Sequence, residues 1–325
     1  LDVYAAYVMG DTALTAWFRV IVGERIEIPR QNISSFDPFS PDDRAVSTDL
    51  KSTDMLPSLG LVFDTSKKTK LRFSATRTLA RPQLRELAPF TFSNYFGGYS
   101  EAGNPDLKLT KITNLDTRFE WYPTLEEIVA ASVFYKYFKD PIEQTVQSAG
   151  DDGLYTYQNS ESAKLVGFEV EGRKSLGFLS KSLSDFSAVA NATIGISTVT
   201  LADANDFSTS RERPLSNQPP FTINAAIDYS SKDNGIKARL LYNVIGKQIV
   251  AVGFEGLPDV YQQPRHQLDF VIAKDFGEHL ELKFSAANLL NSPFRRTQGK
   301  DDEDESVIDE YTTGMDFSIG AGYTY

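Results

Sequence analysis

"FTINAAIDYSSKDNGIKARLLYNV", residues 221–244, reads as two strands joined by a turn. Phe221, Ile223, Ala225, Ile227 and Tyr229 share one side of the first run, opposite Thr222, Asn224, Ala226, Asp228 and Ser230. A repeat of two is the pleat of a β-strand, whose side chains point alternately to its two faces. "SSKDNG" at 230–235 is a turn and nothing more. The second run sets Ile236, Ala238, Leu240 and Tyr242 against Lys237, Arg239, Leu241 and Asn243.

The same pattern recurs along the whole chain, and helical periodicity is nearly absent. "HLELKFSA" sets Leu280, Leu282 and Phe284 against Glu281, Lys283 and Ser285. "DFSIGAGYTY" aligns Phe317, Ile319, Ala321, Tyr323 and Tyr325. Lys and Glu recur on the second face, which therefore meets water. About thirteen such segments are expected, each of roughly ten residues, the length a tilted membrane-spanning strand needs. They fall near 1–9, 13–28, 54–64, 69–80, 113–122, 127–139, 164–174, 185–197, 220–230, 235–246, 266–275, 279–290 and 316–325.

The connections alternate in length. "GDTA" at 10–13, "TSKK" at 65–68, "PTLEE" at 123–127, "SSKDNG" and "FGEH" at 276–279 are short, with 175–184 somewhat longer. Between them stand long polar loops near 29–53, 81–112, 140–163, 198–219, 247–265 and 291–315. A soluble β-sandwich has no such rhythm, whereas an outer-membrane barrel has short periplasmic turns and long extracellular loops. Trp17, Trp121, Tyr122, Tyr229, Tyr242 and Tyr323 near segment ends suit interfacial aromatic girdles. The fold expected is an all-β antiparallel transmembrane β-barrel. With the C-terminal strand ending at the periplasmic rim, every long loop lies outside the cell. An odd strand number cannot close in the regular way, and an open edge cannot survive in lipid. The barrel is therefore expected to continue before Leu1.

Composition agrees. The 325 residues carry 33 basic and 44 acidic side chains, net −11, which disfavours nucleic acid as a partner. There is no cysteine, hence no disulfide or thiolate site. No apolar run is long enough for a transmembrane helix, and a barrel's alternation averages out in mean hydropathy.

"DMLPSLGLVFDTSKKTKLRFSATRTLARPQLRELAP" (54–89) closely resembles the barrel signature of TonB-dependent receptors. The resemblance continues through "GNPDLKLTKITNLDTRFEWYP" (103–123), "VFYKYFKDPIEQ" (133–144), "LVGFEVEG" (165–172) and "AANLLNSPFR" (286–295), closing on the aromatic Tyr325. It implies an outer-membrane importer driven by the inner-membrane proton-motive force, whose barrel of about 22 strands encloses a plug. The thirteen expected here would then be roughly strands 10 to 22 of that wall. The resemblance further implies that the plug, the box that contacts TonB and the remaining strands lie outside this sequence. The implied partners are outer-membrane lipid, TonB through that missing region, and a small-molecule ligand; no cofactor is implied.

Within the signature, "LARPQLRELAP" closes a strand at the outer rim. Pro82 cannot donate to a ladder and suits the first position of a helical turn. Leu84 and Leu87 are expected to share the face of that turn that packs on the wall. The segment is chiefly rim architecture; beyond that, Arg81, Arg85, Tyr95, Phe96 and Tyr99 are candidates to receive a ligand, since arginine and aromatics recur in recognition sites.

Other sites are rejected. "GYSEAGN" (98–104) has phosphate-loop spacing but places Asn104 where lysine should stand. His266 and His279 are roughly 40 Å apart on an extended strand and cannot share a zinc. "DDEDE" (301–305) lacks the glycine and spacing of a calcium loop and reads as a solvated loop tip. No catalytic constellation is found, so an enzyme is not expected. The functional expectation is the wall and recognition loops of an importer for a ferric chelate, cobalamin or oligosaccharide. The alternatives are a structural or interaction barrel, including a surface receptor for a protein, and a soluble β-sandwich or adhesin domain.

Overall fold

The computed structural model describes every residue except 36–45, 89, 94–99, 148–153, 202–208, 211, 232, 254–255, 300–304 and 325. Thirteen antiparallel wall strands lie side by side in chain order. They are Asp2–Ala13, Phe18–Ser35, Asp54–Ser66, Thr69–Ala80, Thr110–Trp121, Ile128–Lys139, Ser162–Ser175, Phe186–Thr200, Phe221–Ser231, Ile236–Ile245, Arg265–Phe276, Leu280–Ala287 and Asp316–Tyr323. Below they are the first to thirteenth wall strands. The sheet is an open meander, with the first and last strands as its edges.

Pleat and register together divide the wall into two faces. Val22, Leu59, Ala75, Leu115, Tyr135, Val166 and Ile196 are successive cross-strand partners, an unbroken apolar row across seven strands. Set off from it by three positions along each strand is the row Arg19, Val62, Arg72, Arg118, Ser132, Glu169, Thr193 and Thr222, in which only Val62 is apolar. A one-residue slip would exchange these faces wholesale, so the alternation fixes the register. Large apolar side chains such as Leu59, Val133, Ile194 and Ile319 stay exposed on the apolar face. That pattern suits a solvent of hydrocarbon on one side and water on the other.

The chain turns tightly at one rim. Between the ninth and tenth wall strands, Gly235 takes a φ of 61°, and a Cβ there would stand 2.9 Å from the Asp275 carbonyl oxygen. This position therefore needs glycine. At the same rim Phe18 stacks on Phe63 at 4.7 Å, with Trp17 beside them, and Phe186 packs on Tyr229 at 4.8 Å.

Four expectations are corrected. "GDTA" is not a turn: the first strand runs on to Ala13, because Asp11 pairs with Arg19 across the hairpin and moves the reversal to 14–17. The second strand does not stop near 28 but continues to Ser35 and pairs with Val46–Lys51. The long loops at the other rim carry ladders of their own, in two four-stranded sheets. Tyr122 is not a girdle residue; it follows the polar parity of its strand, and its hydroxyl donates to Glu120 at 3.0 Å.

Candidate functional site at the long-loop rim

The long loops fold over one end of the wall into a cap. One loop sheet joins Ile142–Gln147, Leu154–Asn159, Ser100–Ala102 and Thr91–Ser93; the other joins Gln248–Ala251, Val260–Gln262, Phe294–Gln298 and Ser306–Tyr311. Val146, Tyr155 and Val252 form a buried cluster between them, and the Tyr155 hydroxyl donates to the Val252 carbonyl at 3.3 Å. A second cluster, Ala163, Val199 and Leu201, seats the cap on the wall.

A buried ion pair locks the two parts. Arg213 pairs with Val199 at the top of the eighth wall strand. Its guanidinium meets Glu143 at 2.9 Å, and both side chains are almost wholly buried. The same carboxylate oxygen accepts from the Ser216 hydroxyl at 3.0 Å, while Arg213 also donates to the Gln144 and Pro214 carbonyls. Lone residues seventy positions apart give no pattern in a sequence, so this pair was not foreseen.

Each predicted recognition residue has a definite place or lies outside the described residues. Arg81 is committed to the wall: it pairs with Glu27, which also takes Arg25 at 2.6 Å. Beside it, the Gln31 amide donates to the Pro82 carbonyl at 3.1 Å. Arg85 lays its guanidinium 3.7 Å from the centre of the Phe92 ring. Tyr95, Phe96 and Tyr99 lie outside the described residues. So do residues 301–304 of "DDEDE" and Tyr325; Glu305 is described, and Lys247 bonded to it holds its carboxyl below the usual range.

The helical turn is real but is a single turn, Leu84–Leu87, with Gln83 as its cap and Pro82 outside it. The Gln83 backbone N–H donates to the Glu86 carboxylate at 2.8 Å. Leu87 is fully buried, but Leu84 is 57% exposed, against expectation. Three residues turn a helix by about 300°, which leaves the two side chains about 60° apart, and in a single turn only Leu87 meets the support. That support is Gly103–Asn104: the Asn104 backbone N–H donates to the Glu86 carbonyl at 2.6 Å, and Leu107 is buried close by. A Cβ on Gly103 would meet the Ala88 carbonyl oxygen at 2.4 Å and the Arg85 carbonyl oxygen at 2.7 Å. "LARPQLRELAP" and "GNPDL" are thus two halves of one joint.

Next to this joint, the Asn104 amide donates to the Tyr157 carbonyl at 2.9 Å, and Gln144 reaches Glu101 at 3.3 Å. Burial, then the charges of Glu101 and Glu86, push the Tyr157 phenol from 10.0 up to about 12. The folded loop thus holds this proton more tightly than the unfolded chain. Its stability is flat below pH 10 and falls as pH rises from there towards 12. In a phenolate absorbance titration, Tyr157→Phe should remove one group titrating near the top of that window and leave the curve below it unchanged. Loss of a group titrating at 10.0 would contradict the burial.

The charged face of the wall carries a belt near the short-turn rim. Arg72 and Arg118 both bind Glu120 at 3.0 Å, and Arg118 reaches Glu171 at 2.6 Å. Arg239 binds Asp228 at 2.5 Å with Arg173 at 4.0 Å, and Lys237 meets Asp275 at 3.0 Å and Glu281 at 3.9 Å. His266 bonds the Tyr242 hydroxyl at 2.6 Å, near the start of the eleventh wall strand, whereas His279 lies beyond its far end and bonds the Thr324 carbonyl. Among the described residues no cluster of metal-ligating side chains occurs, and no helix is long and apolar enough to cross a membrane.

An antiparallel meander, apolar on one face and charged on the other, with tight turns at one rim and folded loops at the other, is the wall of a transmembrane β-barrel. The chain belongs to the TonB-dependent receptor family: residues 1–289 match the family described as TonB dependent receptor-like, beta-barrel. Its short turns are accordingly periplasmic and its long loops extracellular. Similar solved structures include the ferric enterobactin receptor PfeA of Pseudomonas aeruginosa, 15% identical with a TM-score of 0.63, covering 99% of this chain and 54% of that one. The ferric-catecholate import receptor Fiu from E. coli K12 is 14% identical with a TM-score of 0.68, covering 99% and 45%. The copper transporter OprC is 16% identical with a TM-score of 0.66, covering 99% and 48%. The chain thus spans about half the length of the solved structures it resembles. No curated protein sequence matches it significantly.

Proposed function

We propose that this chain is the C-terminal part of the barrel of a TonB-coupled importer in the outer membrane of a Gram-negative bacterium. In this reading it supplies roughly strands 10 to 22 of a wall of about 22, and further strands and a plug complete it. The open sheet edges support this, since an unpaired ladder does not persist in hydrocarbon. TonB acts through the region outside this chain, and the barrel performs no chemistry on its cargo.

The observation that carries the reading is the cap: extracellular loops held rigid by buried packing, with Arg85, Phe92 and Tyr157 around one joint. Cationic and aromatic surfaces of this kind suit an anionic chelate whose metal is wrapped by electron-rich aromatic rings. Among ferric chelates, cobalamin and oligosaccharides, the ferric chelate is favoured, in keeping with the names of the similar receptors. Arg81 is tied to Glu27, so recognition falls to Arg85 and the 94–99 segment that follows it. The test is fluorescence quenching by a ferric catecholate, with growth under iron limitation in cells with and without TonB. Arg85→Ala should weaken binding at least tenfold while the barrel still assembles. Binding of cobalamin or an oligosaccharide in place of the chelate would reassign the cargo. Uptake that persists without TonB would end the importer reading.

A further inference from the structure

Four cations stand together on the lipid-facing side at the extracellular end of the wall. Lys111 and Lys139, on the fifth and sixth wall strands, are direct cross-strand partners. Arg77 faces Thr113 and Lys164 faces Tyr137, which sets each of them one pleat step from that pair, on the fourth and seventh strands. All four side chains are exposed. Like charges facing each other across a ladder repel. On the lumen face, Arg72, Arg118, Arg239 and Lys237 each have a carboxylate, yet among the described residues no ion pair engages any of these four. The patch does not continue along the later strands, whose lipid-facing positions at the same end are Thr198, Phe221, Val244, His266 and Phe317.

The wall beside the patch is hollowed. A groove of about 640 Å³ spans the first four wall strands on this side, with Arg77 on its border. Gly10, Val22, Leu59 and Ala75 are successive cross-strand partners along its periplasmic side, and the lack of a side chain at Gly10 and the single methyl of Ala75 open the space. Glu24 also lines it, across Pro57 from Arg77, and it offsets one positive charge of the four.

We infer that this face binds a phosphorylated glycolipid of the outer leaflet, its phosphates held by Lys111, Lys139, Lys164 and Arg77 and one acyl chain lying in the groove. The inference rests on the outer-membrane reading above, which sets the patch at headgroup height. Clustered cations recognise lipid phosphate where a lone snorkelling lysine would only reach the interface.

The test takes the detergent-purified receptor and titrates a bisphosphorylated lipid A-type glycolipid or phosphatidylglycerol, counting bound lipid by native mass spectrometry. The glycolipid should bind at least tenfold more tightly than phosphatidylglycerol. Lys111→Gln/Lys139→Gln/Lys164→Gln should lose that advantage, the matching triple arginine variant should keep it, and Lys67→Gln/Lys68→Gln at the opposite rim should be neutral. Equal binding of the two lipids, or an unchanged triple glutamine variant, would overturn the inference. Heat-modifiable gel mobility reports folding; should the triple variant fail it, Lys111→Gln alone must weaken glycolipid binding about threefold or the inference falls. A receptor that never enters a bilayer would refute the membrane reading itself, a result separate from the choice of lipid.

Discussion

Glu143→Ala is expected to loosen the extracellular cap by about 3–5 kcal/mol, the usual cost of leaving a buried charge without its partner. The substitution removes the carboxylate that takes both the Arg213 guanidinium and the Ser216 hydroxyl. Arg213 is then left at the top of the eighth wall strand with only carbonyl and hydroxyl acceptors and no route to water. The wall should not notice, because its ladders do not depend on this pair. Hydrogen exchange should therefore accelerate in 142–147 and 212–216 while the amides of the eighth wall strand below Val199 keep their protection. Replacing both partners, Glu143→Met with Arg213→Met, should recover most of the loss, since a buried pair can often be exchanged for apolar side chains at little cost. A double variant as loose as the single one would mean that the pair's hydrogen bonds, rather than its charge balance, hold the cap.

Gly103→Val should expel the helical turn from its seat. The atoms a side chain would meet are backbone, the carbonyl oxygens of Ala88 and Arg85 at 2.4 and 2.7 Å, so no rotamer change relieves the clash. Overpacking of this kind costs about 1–3 kcal/mol where side chains can yield, and the upper end or more is expected where they cannot. Leu87 should become exposed, and the cation–aromatic contact of Arg85 with Phe92 should be lost along with it. Limited proteolysis is expected to cut between Arg81 and Ala88 in the variant and not in the parent. Gly103→Ala should show the same cut more slowly. Resistance in both would mean that the 103–107 segment can retreat, and that the joint is softer than its geometry implies.

The wall was legible because period-two alternation is a direct image of a sheet with two different solvents. The fourth wall strand coincides with its expected span, 69–80, and most others differ only by a few residues at their ends. Failures cluster where another interaction overrode the pattern. Gly10-Asp11 has the composition of a turn, but one guanidinium across the hairpin carries the strand past it. Residues 29–35 lack an apolar face and look like loop, yet their backbone finds a ladder in Val46–Lys51, for which no buried face is required. Of the expected recognition residues, Arg81 has its charge spent on Glu27, whereas Arg85 stands by an aromatic ring. Tyr157 and Glu143 went unseen because their meaning comes from neighbours brought in by other loops.

The charged belt inside the wall has a mechanical consequence. Its arginines and lysines are already matched by Glu120, Glu171, Asp228, Asp275 and Glu281 of the wall itself. A body seated in that lumen would find the cations of this belt already matched, and would meet them through water and single hydrogen bonds. Such a belt acts as a bearing: an occupant could turn or slide along it without first tearing its ion pairs apart, and the wall would keep its shape.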